Sequence, residues 1–219
     1  MQLKNMKEII KNKFIPVSEK QFITELAKFP FLNNYKNWIT KDRHKPNDNQ
    51  FQIYIGDIKS DTILEFDALN LLVIGNIQAI WLNTGNNYKG YESGSLFVTG
   101  NIDCDYFSNS YGKLIIIGNS LHAKKILNNK FEDSTLKVQR NLTTAYFYGA
   151  DMYAEVGENV QIEYGEGYCL PIGYKNAKKE YISPKHNEEE SRRFLGLDEE
   201  DEELMEIRIN EFIKQKIKN

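Results

Sequence analysis

The chain has 219 residues, 41% of them hydrophobic and 27% charged, which suits one medium domain with appendages and excludes global disorder. A net charge of −3 gives no general attraction for nucleic acid or anionic membranes, because phosphate-driven binding needs a basic surplus. Two cysteines, Cys104 and Cys169, with no CxxC pairing exclude a disulfide scaffold and read as semi-buried free thiols of a reducing compartment.

The N-terminus has no continuous apolar core and no run is long enough to span a bilayer, so neither a signal peptide nor a membrane span is expected and the expected location is cytoplasmic. Residues 1–15 place Leu3, Met6, Ile9, Ile10 and Phe14 at helical spacing before Pro16 stops the pattern. Ser18 and Gln21 form a capping box for a helix carrying Phe22, Ile23 and Leu26 that ends before Pro30. Phe31, Leu32, Tyr35, Trp38 and Ile39 predict a third short helical or irregular segment. Residues 1–48 are therefore expected to be a helical N-terminal cap over the first coil of a repeat region that begins near Phe51. The polar stretch from Lys41 to Asn49 marks the boundary, and His44 within it reads as a solvated loop residue.

From Phe51 the periodicity becomes alternating, and one phrase recurs: Ile55-Gly56-Asp57-Ile58, Ile74-Gly75-Asn76-Ile77, Thr99-Gly100-Asn101-Ile102, Ile117-Gly118-Asn119-Ser120, Arg140-Asn141-Leu142 and Glu158-Asn159-Val160. The Asp or Asn positions 57, 76, 101, 119, 141 and 159 stand 19, 25, 18, 22 and 18 residues apart. Short strands at a period near 20, with no helix between them, predict a solenoid of stacked coils. After each corner the apolar residues fall two apart, as in Ile77 and Ala79 or Ile102 and Cys104, so one set points inward. Glycine supplies a corner where a side chain would crowd, and Asn or Asp can hydrogen-bond across stacked turns. The longer intervals predict loops around 83–94 and 128–134, of the kind that gather on one face and carry binding.

The expected fold is mainly β: a single-stranded parallel β-helix (solenoid) over 49–175, with the helical N-terminal cap and, over 176–219, charged C-terminal helices. The last of these helices has an acidic start (Asp198, Glu199, Glu200, Asp201, Glu202, Glu203) and an apolar stripe of Met205, Ile209, Phe212 and Ile213.

Candidate chemistry is sparse. His44, His122 and His186 are far apart, which supports no metal centre, and no GxSxG, HExxH or GxxxxGKS motif occurs. Asp103 and Asp105 flank Cys104 and would share an outward strand face, where paired carboxylates could serve a polysaccharide-cleaving β-helix enzyme, but a solvated acidic face is the preferred reading. No catalytic residue, cofactor or metal is assigned. Intervals that break an 18-residue rhythm argue against the left-handed β-helix acyltransferases.

On its repeated Leu72-Val73-Ile74-Gly75-Asn76-Ile77 and Ile115-Ile116-Ile117-Gly118-Asn119 phrases the chain resembles bacterial polymer-forming β-helix proteins of the bactofilin type. The resemblance covers about residues 51–165 and implies a scaffold or cytoskeletal role. Helical blocks at both ends and long loops depart from that pattern and would block end-to-end stacking. In overall character the chain is also similar to bacterial immunity proteins that neutralise a cognate secreted toxin. The leading expectation is thus a non-enzymatic protein-binding module whose partner is a protein, with homo-oligomerisation as the other option. Its contact residues are expected among Tyr88, Tyr91, Tyr146, Tyr148 and the acidic run Asp198 to Glu203.

Overall fold

The computed structural model describes residues 14–39, 50–66, 68–84, 94–109, 113–128, 134–149, 152–166 and 172–173. A short strand β1 (Phe14–Pro16) precedes two helices, α1 (Glu19–Leu26) and α2 (Pro30–Asn33), and a 3₁₀ turn over Lys36–Trp38. The rest is strands in pairs: β2 (Phe51–Ile55) and β3 (Ile58–Glu65), β4 (Asn70–Ile74) and β5 (Ile77–Asn83), β6 (Gly94–Val98) and β7 (Ile102–Asn109). The series continues with β8 (Lys113–Ile117) and β9 (Leu121–Asn128), β10 (Ser134–Val138) and β11 (Leu142–Gly149), β12 (Met152–Val156) and β13 (Val160–Glu166), and ends with β14 (Ile172–Gly173). The even strands form one parallel sheet with β1 at its edge, and β3 to β13 form a second parallel sheet of six. Each pair is one coil, so the chain is a β-solenoid, as the phrase repeat predicts.

What stacks the coils is visible at the Gly-Asn corner. The backbone N–H and side-chain amide of Asn76 both donate to Asp57 Oδ1, at 2.8 and 2.9 Å. The Asn101 N–H donates to Asn76 Oδ1 at 2.8 Å, and the Ser120 N–H to Asn101 Oδ1 at 3.2 Å. The Asn141 N–H then reaches Ser120 Oγ at 3.4 Å, and Asn159 donates to Asn141 Oδ1 from its N–H at 3.2 Å and from Nδ2 at 2.9 Å. Each corner side chain thereby satisfies a backbone donor that the turn would otherwise orphan. The two bonds from Asn76 hold the Asp57 carboxyl below its ordinary range.

One corner departs from the phrase read in sequence. Ser120, not Asn119, occupies the ladder position, so the steps are 19, 25, 19, 21 and 18 residues. Gly118 accordingly aligns with Thr99, and Asn119 takes the place of Gly100. The register of β6 on β8, Val98 on Ile117, fixes this alignment, because inward residues must stay in phase from coil to coil.

Crowding from the coil beneath explains the glycines. A Cβ on Gly75, at φ +156°, would lie 2.2 Å from the Gly56 carbonyl oxygen, and one on Gly100 would lie 2.3 Å from Asn76 Oδ1.

The interior is filled by rows running along the stack. From the first sheet come Val73, Val98, Ile117, Val138 and Val156, and from the second Ile58, Ile77, Ile102, Leu121, Leu142 and Val160. A second inward row is small, Ala79, Cys104, Ala123 and Thr144, and just beyond it the pairing steps over Ile80, Asp105, Lys124 and Ala145. Alternation restarts there, so Leu82, Phe107 and Phe147 point inward three residues after the small row.

The first sheet is buried on its outer face too. Its strands read as unbroken apolar runs, such as Leu114-Ile115-Ile116-Ile117, the pattern of strands covered on both sides. Phe51, Ile53, Leu72, Phe97, Leu114 and Ile116 face a second cluster made by Phe22, Leu26, Leu32, Tyr35 and Ile39 of the helical block. The rings of Phe51 and Phe97 lie 5.3 and 6.1 Å from that of Phe22.

The described helices of the N-terminal segment therefore pack on the side of the stack and do not form the expected cap over the end of the first coil. The edge of β2 is taken by β1, with Phe14, Ile15 and Pro16 antiparallel to Tyr54, Ile53 and Gln52. Phe14, predicted in a helix, is in that strand because β2 offers it an unpaired row of backbone groups. The Ser18–Gln21 capping box is present as predicted, with both reciprocal bonds made. The expected C-terminal helices and the start of the first predicted helix lie outside the described residues.

Two substitutions test these packing relations. Gly75→Ala is expected to lower stability by on the order of 2–4 kcal/mol, read as a drop in denaturation midpoint at unchanged slope. Phe22→Ala is expected to cost about 3–5 kcal/mol and to expose the helical block to limited proteolysis before the solenoid.

Candidate functional site

The two edges of the stack differ in kind. At the Gly-Asn corner the connections are 56–57, 75–76, 99–101, 118–120, 139–141 and 157–159, two or three residues each time. At the opposite edge they are 66–69, 84–93, 110–112, 129–133, 150–151 and 167–171, varying from two residues to ten. Each of these joins a strand of the six-stranded sheet to the next strand of the larger one, so all start and finish on one edge. The sequence expectation that insertions share a side holds at this level. Tyr88 and Tyr91 belong to the longest insertion and lie outside the described residues, as does the acidic run Asp198 to Glu203.

The floor of this edge is polar and buried. Ser95 Oγ donates to Asn70 Oδ1 at 2.6 Å. The Thr84 hydroxyl lies 3.0 Å from the Ser108 carbonyl oxygen and 2.9 Å from Asn109 Oδ1. Trp81 Nε1 donates to Ser108 Oγ at 2.7 Å, and Ser108 Oγ to Asn83 Oδ1 at 3.0 Å. Among the described residues, the buried Asn109 side-chain nitrogen has no hydrogen-bond partner. Lys113, a residue only 7% exposed, opens β8 beside Gly94. Desolvation pushes its pKa from 10.5 down to about 8. Sequence reasoning does not single out Lys113. The available signal is a lysine heading the run Leu114-Ile115-Ile116-Ile117.

A second surface feature sits where the helical block ends. The outer row Ile53, Leu72, Phe97, Ile116 continues as Lys137 and Glu155, so apolar cover gives way to charge at β10. Lys137, 5% exposed, ion-pairs with Glu155, and its Nζ lies 4.1 Å from the Tyr153 ring and 5.9 Å from that of Tyr35. Tyr153 is 44% exposed. Trp38, packed edge-on to Tyr35 at 5.9 Å, is 57% exposed.

Of the other predicted contact residues, Tyr146 is 4% exposed and so is not an outward recognition side chain. The strand resets its alternation at Ala145, which buries Tyr146 and Phe147 in succession. Tyr148 is placed only by its backbone, which pairs with Leu127 and Glu166.

The carboxylates considered for catalysis are separated in role. Asp103 is exposed and stands in register with His122, whereas Asp105 lies at the bend and binds Lys124 Nζ at 2.8 Å. That bond raises the Lys124 pKa. Cys104 between them packs against the core, and its thiol is pushed well above the ordinary range, first by burial and then by the flanking carboxylates. It is a core residue, not a nucleophile. Among the described residues no group of three His, Cys, Asp or Glu is placed to hold a metal ion, and no helix is long and apolar enough to cross a membrane. The chain matches no known protein family, no curated protein and no solved structure.

The desolvation of Lys113 is a cost to folding, and its pH dependence is specific. Between pH 8 and 10.5 the unfolded chain keeps a proton on residue 113 that the folded chain has lost, so stability rises with pH in that window. Lys113→Met is expected to stabilise the protein at pH 7 by on the order of 2–3 kcal/mol, an advantage that shrinks to near zero above pH 10.5. Urea denaturation at pH 7, 9 and 11 reads this directly.

Proposed function

We propose that this protein is a non-enzymatic binding module that recognises another protein along the loop-bearing edge of its solenoid. The observation that carries the reading is the contrast between the two edges: connections of two or three residues at the Gly-Asn corner and of two to ten opposite. A stack fixed by axial hydrogen bonds is a rigid scaffold, and insertions on one edge of it form a recognition surface whose shape varies without disturbing the core. Tyr88 and Tyr91 in the longest insertion supply aromatic anchors, and the acidic run Asp198 to Glu203 supplies complementarity to a basic partner. Within that class we favour an immunity-type role, in which the partner is a cognate secreted toxin whose basic cleft the chain occludes.

The bactofilin-like alternative requires coils that stack end to end. Two features weigh against it: β1 occupies the edge of β2, and β3, the edge strand of the other sheet, carries a register shift between Ser60 and Ile63 with Lys59, Asp61 and Glu65 along it. Bulges and charges of this kind discourage edge-to-edge pairing.

Co-expression with the product of the adjacent reading frame, followed by size-exclusion chromatography with light scattering, tests the reading. A 1:1 complex is expected, weakened at least tenfold by Tyr88→Ser/Tyr91→Ser with the far-ultraviolet dichroism unchanged. Full affinity in that double variant would overturn the assignment to the loop edge. Filaments of the purified chain under negative stain would overturn the binding-module reading in favour of a polymer.

A further inference from the structure

Both sheets of the solenoid start on the first coil, and their starting strands guard the outer edge in different ways. β3 guards itself, with a register shift between Ser60 and Ile63 and with Lys59, Asp61 and Glu65 along it. β2 reads Phe51-Gln52-Ile53-Tyr54-Ile55, without charge, proline or glycine, and pairs with β4 in unbroken register. A regular, uncharged strand of β-branched and aromatic residues accepts a further strand wherever its edge is open. Its cover is β1, and the hold of that strand is slight. β1 pairs through Phe14, Ile15 and Pro16, and proline has no N–H to donate. The Val17 N–H adds a bond to the Phe51 carbonyl oxygen at 3.0 Å. Ile15 is 49% exposed. The apolar anchor is Phe14, whose ring lies 5.1 Å from that of Tyr54 and 5.9 Å from that of Phe66, two core residues of the first coil.

We propose that β1 is an autoinhibitory guard: it closes β2 against a second copy of this chain, and its displacement lets two solenoids join end to end through their β2 edges. Antiparallel pairing of a strand with its own copy is what a two-fold axis generates, so the product is a closed dimer and not a fibre. The contact continues an interface the molecule already uses, because β2 then carries a partner strand on its outer side as it carries β4 on the other. Self-association stays latent while Phe14 is seated against Tyr54 and Phe66. It is separate from recognition at the loop-bearing edge.

Size-exclusion chromatography with light scattering on the full chain, over a hundredfold range of concentration, tests the guard. The wild-type protein is expected to keep the mass of one chain. Phe14→Ser/Ile15→Pro removes the anchor and a backbone donor of the short strand, and should double in mass as concentration rises, with the far-ultraviolet dichroism of the solenoid unchanged. Adding Ile55→Lys, at a residue of β2 that is 64% exposed, should weaken that dimer at least tenfold. A double variant that stays monomeric with its dichroism intact would overturn the proposal, as would a dimer indifferent to Ile55→Lys or one formed equally by the wild-type chain. Should the double variant fail to fold, Ile15→Cys/Ile53→Cys, a pair in register across β1 and β2, decides the question once oxidised. In urea below the global transition the wild-type chain should then dimerise and the cross-linked variant should not. The same mass for both overturns the guard.

Discussion

Among the described residues, successive coils are tied at the corner by a side-chain oxygen that accepts the backbone N–H of the next coil's corner. Asp57, Asn76, Asn101, Ser120 and Asn141 perform this task in turn. Each such bond contributes only about 1 kcal/mol net, and repetition from coil to coil makes the series effective. The constraint is axial and local. It fixes where each corner must sit above the last, and with it the register of both sheets, yet it says nothing about the length of the return connection. That asymmetry produces a stack with one nearly uniform edge and one variable edge.

The same stacking settles where the helical block goes. Coils in register align their outward side chains into rows, and on the larger sheet the row through Ile53, Leu72, Phe97 and Ile116 is apolar for four coils. A stripe of that kind needs cover, and α1 with the aromatic residues after it provides it through Phe22, Leu26 and Leu32. Where the row turns to Lys137 and Glu155 the cover stops, and the aromatic rings at its rim, Trp38 and Tyr153, are partly in solvent. The flank is thus closed for structural reasons, and the loop edge is the side on which sequence can change at little cost to the core.

Lys113 stands out against this background because it works against stability. The other buried polar side chains of the loop edge, Asn70, Thr84, Ser95 and Ser108, are hydrogen-bonded to one another or to backbone. A lysine in their midst is desolvated enough to lower its pKa, a cost to folding that the hydrogen-bonded side chains around it do not carry.

The sequence by itself determined the solenoid, the corners and the inward rows, because a period near 20 with alternating residues leaves few other ways to bury Ile77 with Ala79 or Ile102 with Cys104. It also determined the capping box at Ser18, a contact between residues three apart. Only the tertiary structure decided which residue completes the ladder at the fourth corner. Asn119 and Ser120 both offer an acceptor, and the choice between them belongs to the register of β8 on β6. Tertiary structure likewise placed the described helices on the flank of the stack, buried Tyr146 and desolvated Lys113. Those outcomes depend on which side chains meet across coils some twenty residues apart, and a one-dimensional pattern carries the period of such meetings but not the partners.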